Sequence, residues 1–217
     1  MTFEAVIFDL DGTLVDTLED LADALNRTLG AEGVGASDYE HVRAMIGNGI
    51  RRLVTDALPP ARRSEQTIER CCERFMADYG AHCLDKTRPY EGITALLCAL
   101  RDDAVKLAVL SNKADELTQR IVGSLIGLDG FEVVMGARPG VPLKPDPTGA
   151  RLVGDALGVP RGAVVYLGDS AIDMQAAGGA GMVAVGVSWG FRARRELIAA
   201  GASIVLDHPR ELLELRR

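Results

Sequence analysis

At 217 residues the chain is roughly one and a half average domains long, which fits one large domain or a domain carrying an insert. An apolar content of 47% with 25% charged residues is a globular balance and excludes disorder as the main state. With 24 basic against 31 acidic residues the net charge is -7, the wrong field for a nucleic-acid partner.

The run from Glu4 to Asp9 is a short continuous apolar stretch, and Asp11-Gly12-Thr13 follows it with turn chemistry. This predicts a buried strand that ends abruptly in a loop. From Thr17 to about Leu84 the period changes. Leu18, Leu21, Ala22, Leu25 and Leu29, then Val42, Ile46, Ile50, Leu53 and Leu58, then Ile68, Cys72, Phe75 and Tyr79 recur at three and four. That is helix periodicity, broken at Gly30 to Ser37, at Gly47-Asn48-Gly49 and at Pro59-Pro60.

After Pro89 strand and helix alternate. Leu96, Leu97 and Leu100 belong to a helix, 105–110 is a strand ending at Ser111-Asn112, and a helix runs through Leu125. Further strands are expected at 131–135, 163–167 and 182–187, with helices over 147–157 and from Ala171 into Gly178-Gly179. Short uninterrupted apolar strands separated by helices describe a parallel sheet covered on both faces, a doubly wound, Rossmann-like α/β domain. The expected division is a core of residues 1–16 and 86–217 with an all-helical insert at 17–85.

In open α/β sheets ligands bind beyond the carboxyl ends of the strands. Four segments fall there: Asp9 to Thr13, Ser111-Asn112-Lys113, Lys144-Pro145-Asp146 and Gly168 to Asp173. Asp9 and Asp11, two apart in extended chain, point to one face, and two such carboxylates need a cation or a shared proton. Asp169 and Asp173, four apart at a helix start, share a helix face, although capping alone would also account for acids there. Taken together they suit Mg²⁺, which accepts carboxylates and phosphate oxygens, while Lys144 and the Ser111 hydroxyl hold the remaining phosphate oxygens. A carboxylate can then attack phosphorus while a second one handles the proton.

On these motifs the sequence resembles the haloacid dehalogenase superfamily of phosphohydrolases over its whole length. The resemblance implies Asp9 as nucleophile and Asp11 as general acid and base. It implies Mg²⁺ held by Asp9, Asp169 and the backbone carbonyl of Asp11, phosphate bound by Ser111, Asn112 and Lys144, and Asp173 supporting the metal and Lys144. The insert resembles the small α-helical cap that closes over the site and chooses the substrate. Ile46-Gly47-Asn48-Gly49, Arg88-Pro89-Tyr90-Glu91-Gly92 and Ser111-Asn112-Lys113 resemble the phosphoglycolate phosphatase branch, with Ser in place of the more common Thr at 111 and Glu in place of Pro at 91. Gly47, Asn48, Gly49 and Arg51 are the candidate contacts to a substrate carboxylate.

The expected partner is a small phosphorylated metabolite, 2-phosphoglycolate first, with a sugar-phosphate phosphatase, a pyrophosphatase or a β-phosphoglucomutase-like enzyme as alternatives. A dehalogenase would need neither Asp11 nor the acids at 169 and 173. Cys71, Cys72, Cys83 and Cys98 form no CxxC pair and read as reduced thiols of a cytoplasmic protein, in either a monomer or a homodimer. No signal peptide and no apolar run near ~18 residues is found, so no membrane partner is expected.

Overall fold

Residues 5–8 form β1 (Ala5–Phe8), all four fully buried. Coverage on both faces is why the run is continuous rather than alternating. In the computed structural model, which describes residues 2–216, the chain divides into two compact units. One contains the residues up to Asp16 and those from Pro89 onward, and the other is Thr17–Arg88. The strand β2 (Val15–Asp16) closes the first segment, and it pairs with β3 (Arg88–Pro89).

The unit Thr17–Arg88 is built from α1 (Leu18–Ala31), α2 (Tyr39–Met45), α3 (Ile50–Ala57) and α4 (Glu65–His82), with a 3₁₀ turn at Pro60–Arg62. The breaks fall at the expected glycines and prolines. Asp38 caps α2 by accepting from His41 N–H at 2.7 Å, and Ser64 caps α4 by accepting from Thr67 N–H at 3.2 Å. Leu21, Leu25, Leu29, Leu53, Phe75 and Tyr79 are buried, and the rings of Phe75 and Tyr79 stack at 5.5 Å. Each such side chain contributes roughly 1.5–3 kcal/mol when fully covered. On α4 the buried cysteine is Cys71, and Cys72 is only half-buried. The helical spacing points to Cys72 as the apolar-stripe residue, but Cys71 fits the same spacing, and the packing of α1 and α3 against α4 covers Cys71. Asp20 on α1 is buried and accepts from Lys86 N–H at 3.0 Å, Thr87 N–H at 2.8 Å and Thr87 Oγ1 at 2.7 Å, which ties α1 to the end of this unit.

The other unit continues with α5 (Ile93–Asp102), β4 (Lys106–Ala114), α6 (Asp115–Leu125), β5 (Val133–Ala137), α7 (Thr148–Leu157) and β6 (Val164–Gly168). It ends with α8 (Ala171–Ala180), β7 (Val183–Val187), α9 (Arg194–Ala199), β8 (Ile204–Leu206) and α10 (Glu211–Glu214). Six parallel strands order as β5-β4-β1-β6-β7-β8. This is the mostly parallel α/β architecture expected. Ile7, Leu110, Val153, Tyr166, Met174 and Leu197 belong to its core.

Three details differ from the sequence expectation. Strand β5 begins two residues later than the apolar run suggested. The elements α9, β8 and α10 were not foreseen, because a three-residue run becomes a strand only through its pairing with β7. Strand β4 runs on past Leu110 through a register shift: Leu110 faces Met135, yet Ala114 faces Ala137. Two extra residues are therefore accommodated between Leu110 and Ala114, a bulge of the kind that re-aims side chains next to active sites. β1 is the strand from which the order runs outward both ways, so the crevice beyond its carboxyl end lies at the switch point.

Candidate active site

Asp9 is the first residue past β1. Phe8 pairs with Val109 on one side and Leu167 on the other, and Asp9 N–H donates to Leu167 O at 2.9 Å. Its carboxylate therefore emerges between β4 and β6 at the switch point. The chain then turns tightly, with Leu10 O accepting from Leu14 N–H at 3.0 Å and Gly12 N–H donating to Val15 O at 2.9 Å. Gly12 sits at φ 81°, and a Cβ there would collide with the Asp169 carboxylate and the Phe191 ring, so only glycine fits.

Three carboxylates converge at this point. Oxygens of Asp9, Asp169 and Asp173 all lie within 4.8 Å of one another, and all three residues are buried. Lys144 Nζ is placed among them, 2.7 Å from Asp9 Oδ1, 2.7 Å from Asp173 Oδ1 and 3.1 Å from Leu110 O. It also lies 5.8 Å from the centroid of the Tyr166 ring, whose hydroxyl donates to Leu110 O at 3.3 Å. This ammonium contacts two of the three acids, so acidic groups outnumber it in the cluster. Burial, then Asp173, push the Asp9 carboxyl well above the usual carboxylate range, against the pull of Lys144. Burial and then Asp173 raise Asp169 to about 7, although it accepts from Phe191 N–H at 2.6 Å. Burial works against the Lys144 ammonium, but Asp173, Asp9 and Tyr166 outweigh it and hold the amine well above its ordinary value.

Asp169 and Asp173 do not meet as neighbours on a helix face. Asp169 precedes α8, just past β6, and Asp173 occupies the first turn of α8. They converge because a strand end and a helix start face the same crevice. Asp173 combines the two roles weighed for it from the sequence: its Oδ1 pairs with Lys144, while its Oδ2 accepts from Ser170 N–H at 3.1 Å and from the Ser170 hydroxyl. The segment Trp189-Gly190-Phe191 borders this turn and Asp169. Trp189 Nε1–H donates to Thr13 O at 3.1 Å, and a Cβ on Gly190 would strike Gly12 O and Asp169. Sequence reasoning missed this backbone support because a main-chain donor has no residue signature.

The β4 bulge buries Ser111, Asn112 and Lys113 consecutively. Ser111 Oγ accepts from Lys113 N–H at 3.2 Å. Asn112 Nδ2 donates to Lys144 O at 3.0 Å and Asn112 Oδ1 accepts from Lys144 N–H at 2.8 Å. Both ends of the Asn112 amide thus hold the Lys144 backbone, so this side chain places the lysine. The Asp11 carboxylate is not among the three that converge. Its Oδ1 pairs with Lys113 Nζ at 3.0 Å. Lys113 was visible in sequence only as part of a strand-end triplet, where a buried lysine and a solvated one look alike.

The remaining candidates, Gly47, Asn48, Gly49 and Arg51, lie in the Thr17–Arg88 unit. The three loop residues join α2 to α3, with Gly47 at φ 116° and Gly49 at φ 81°. Arg51 is exposed on the first turn of α3 and pairs with Glu65. His41, His82 and His208 take no part in the acidic cluster, and His82 Nδ1 lies 2.9 Å from Asp85 Oδ2.

An all-oxygen set of three buried carboxylates, with the proton affinity of Asp9 and Asp169 raised, fits a hard divalent cation, which would replace those protons. Residues 6–187 match the haloacid dehalogenase-like hydrolase family. The chain is 35% identical over 210 residues to a phosphoglycolate phosphatase of Rhodospirillum rubrum, covering 94% of this chain and 87% of that protein. It is 30% identical over 216 residues to an N-acetylmuramic acid 6-phosphate phosphatase of Pseudomonas aeruginosa, covering 99% and 95%. A solved structure from Lactobacillus delbrueckii subsp. bulgaricus superposes with a TM-score of 0.93 at 34% identity, covering 100% of this chain and 99% of that one. Among the described residues no helix is long and apolar enough to cross a membrane.

Proposed function

Because the chain belongs to the haloacid dehalogenase-like hydrolases, we propose that it hydrolyses small phosphate monoesters with Mg²⁺ through an aspartyl-phosphate on Asp9, 2-phosphoglycolate foremost. The observation that carries this reading is the Asp9 carboxylate at the end of the central strand, 2.7 Å from the Lys144 ammonium and grouped with Asp169 and Asp173. An Asp9 oxygen attacks phosphorus as the ester P–O bond breaks, and the protonated Asp11 carboxyl gives its proton to the departing alkoxide. Asp11, now a carboxylate, takes a proton from a water whose oxygen attacks the same phosphorus and frees Asp9 and inorganic phosphate. Such acid–base assistance is worth roughly 10²–10⁴-fold. Lys144 and the Ser111 hydroxyl bind phosphoryl oxygens, Asn112 fixes Lys144, and Asp173 steers it. Mg²⁺, held by Asp9, Asp169 and the Asp11 backbone carbonyl with Asp173 beside it, would supply the charge that lets nucleophile and phosphate approach.

The Rhodospirillum rubrum relative supports 2-phosphoglycolate. The Pseudomonas aeruginosa relative supports a second reading, a sugar-phosphate substrate. In both, the Thr17–Arg88 unit acts as the cap that selects the substrate, with Gly47, Asn48, Gly49 and Arg51 as contacts. We expect kcat/KM to rank 2-phosphoglycolate above hexose phosphates, N-acetylmuramic acid 6-phosphate and pyrophosphate. Activity on all of them should vanish in EDTA and return with Mg²⁺. A sugar phosphate in first place would select the second reading, and full turnover in EDTA would end the metal-dependent one.

The raised carboxyls also set a pH dependence. Metal-free, folded chain keeps a proton on Asp169 up to about pH 7, whereas unfolded chain releases it near 3.8. Stability from this source is therefore complete below about pH 4 and is lost as pH rises through about 7. Mg²⁺ competes with that proton, so the increase in Tm on adding Mg²⁺ should be larger at pH 8 than at pH 5. A shift independent of pH, measured by scanning fluorimetry, would remove Asp169 from the metal site.

A further inference from the structure

The chain has four lysines. Lys86 and Lys106 are exposed, and Lys113 and Lys144 are buried. Lys144 is accounted for by the three-acid cluster. Lys113 lies outside it, and a buried ammonium is costly unless it is paired and held. Its Nζ is 3.0 Å from Asp11 Oδ1, with side-chain exposures of 4% and 13%. The root of the side chain is fixed. Lys113 N–H donates to Ser111 Oγ at 3.2 Å, Lys113 O accepts from Thr118 Oγ1 at 3.3 Å, and a Cβ on Gly136 would press on that same carbonyl. The β4 bulge aims this lysine along with Ser111 and Asn112. Asp11, in contrast, sits in the tight turn between β1 and β2. Its carboxylate is not one of the three that converge, and the buried Lys113 ammonium beside it fixes where it points.

We propose that Lys113 is a positioning residue for the reaction: by donating to Asp11 Oδ1 it holds the Asp11 carboxyl out of the Asp9–Asp169–Asp173 cluster and leaves Oδ2 to exchange a proton with the ester oxygen. This rests on the phosphatase reading above. The site then uses two dedicated buried lysines, one for the nucleophile and one for the acid. A purely structural role would be met as well by an apolar side chain of similar volume, because a buried ion pair gives little net stability over such a replacement.

A double-mutant cycle tests this, with Lys113→Met, Asp11→Asn and the combined variant assayed in Mg²⁺ on 2-phosphoglycolate and on p-nitrophenyl phosphate. An alkoxide needs a proton to leave and nitrophenolate does not, and kcat/KM reports the step in which the leaving group departs. Lys113→Met should lower kcat/KM for the alkyl ester by about 10²-fold, the lower end of what general acid catalysis supplies. The nitrophenyl ester should stay within a few-fold of wild type. Adding Lys113→Met to Asp11→Asn should cost nothing more on the alkyl ester, and Lys113→Arg, which keeps the cation, should recover most of the loss. If Lys113→Met does not fold, Lys113→Gln against Lys113→Arg makes the same comparison. Equal losses on both esters, or additive losses in the combined variant, overturn the proposal while leaving the phosphatase reading intact. A wild-type enzyme that turns over neither ester overturns both.

Discussion

Asp9→Asn is expected to drop turnover by at least about 10⁴-fold, the scale on which loss of a nucleophile is felt. The substitution keeps the shape and removes the attacking oxygen, and the amide nitrogen cannot form an acyl-phosphate. Stability should move the other way. The Asp9 carboxyl is buried beside Asp173 and Asp169, and its proton affinity is raised by that burial and that company. A neutral side chain relieves the crowding, so Tm without metal at pH 8 should rise. A variant that kept a tenth of wild-type kcat would exclude Asp9 as the nucleophile. A fall in Tm with turnover lost would mean that Asp9 is needed chiefly to anchor Lys144.

Lys144→Met should be the most damaging single change to both stability and activity. The ammonium touches Asp9, Asp173 and the Leu110 carbonyl, and its side chain is only 3% exposed. Removing one partner of a buried ionic group costs about 3–5 kcal/mol, because the remaining charges stay behind without a counterion. At about 2–4 °C per kcal/mol for a chain of this size, Tm should fall by roughly 6–20 °C. Phosphate esters should no longer be turned over measurably. The stability deficit should narrow at pH 5, where the carboxyls regain protons, and in Mg²⁺, which replaces the lost positive charge. A deficit of the same size at pH 5 and pH 8 would show that packing, rather than charge, is what Lys144 supplies. Asn112→Ala should follow in milder form, since both ends of that amide hold the Lys144 backbone.

The alternation of short apolar runs with helix-period segments was enough to specify the parallel sheet, because burial on both faces leaves an unbroken apolar signature along each strand. Likewise the meeting of Asp9, Asp169, Asp173 and Lys144 could be anticipated, since the segments that carry them follow strands and strand ends on one side of such a sheet open on one crevice. Tertiary structure decided the rest. The three residues of β8 become a strand only against β7, and Cys71 rather than Cys72 is covered only because of where neighbouring helices pack. The register shift in β4 cannot be read from its own residues, since it is a mismatch with β5, yet it aims Asn112 at the Lys144 backbone and Lys113 at Asp11. The backbone N–H of Phe191 that reaches Asp169 carries no side-chain signature at all. Local sequence states which groups are available and how long each element runs. Which partner each polar group meets is set by contacts between segments far apart in the chain, such as Asp9 and Lys144, and those pairings exist only once the sheet has formed.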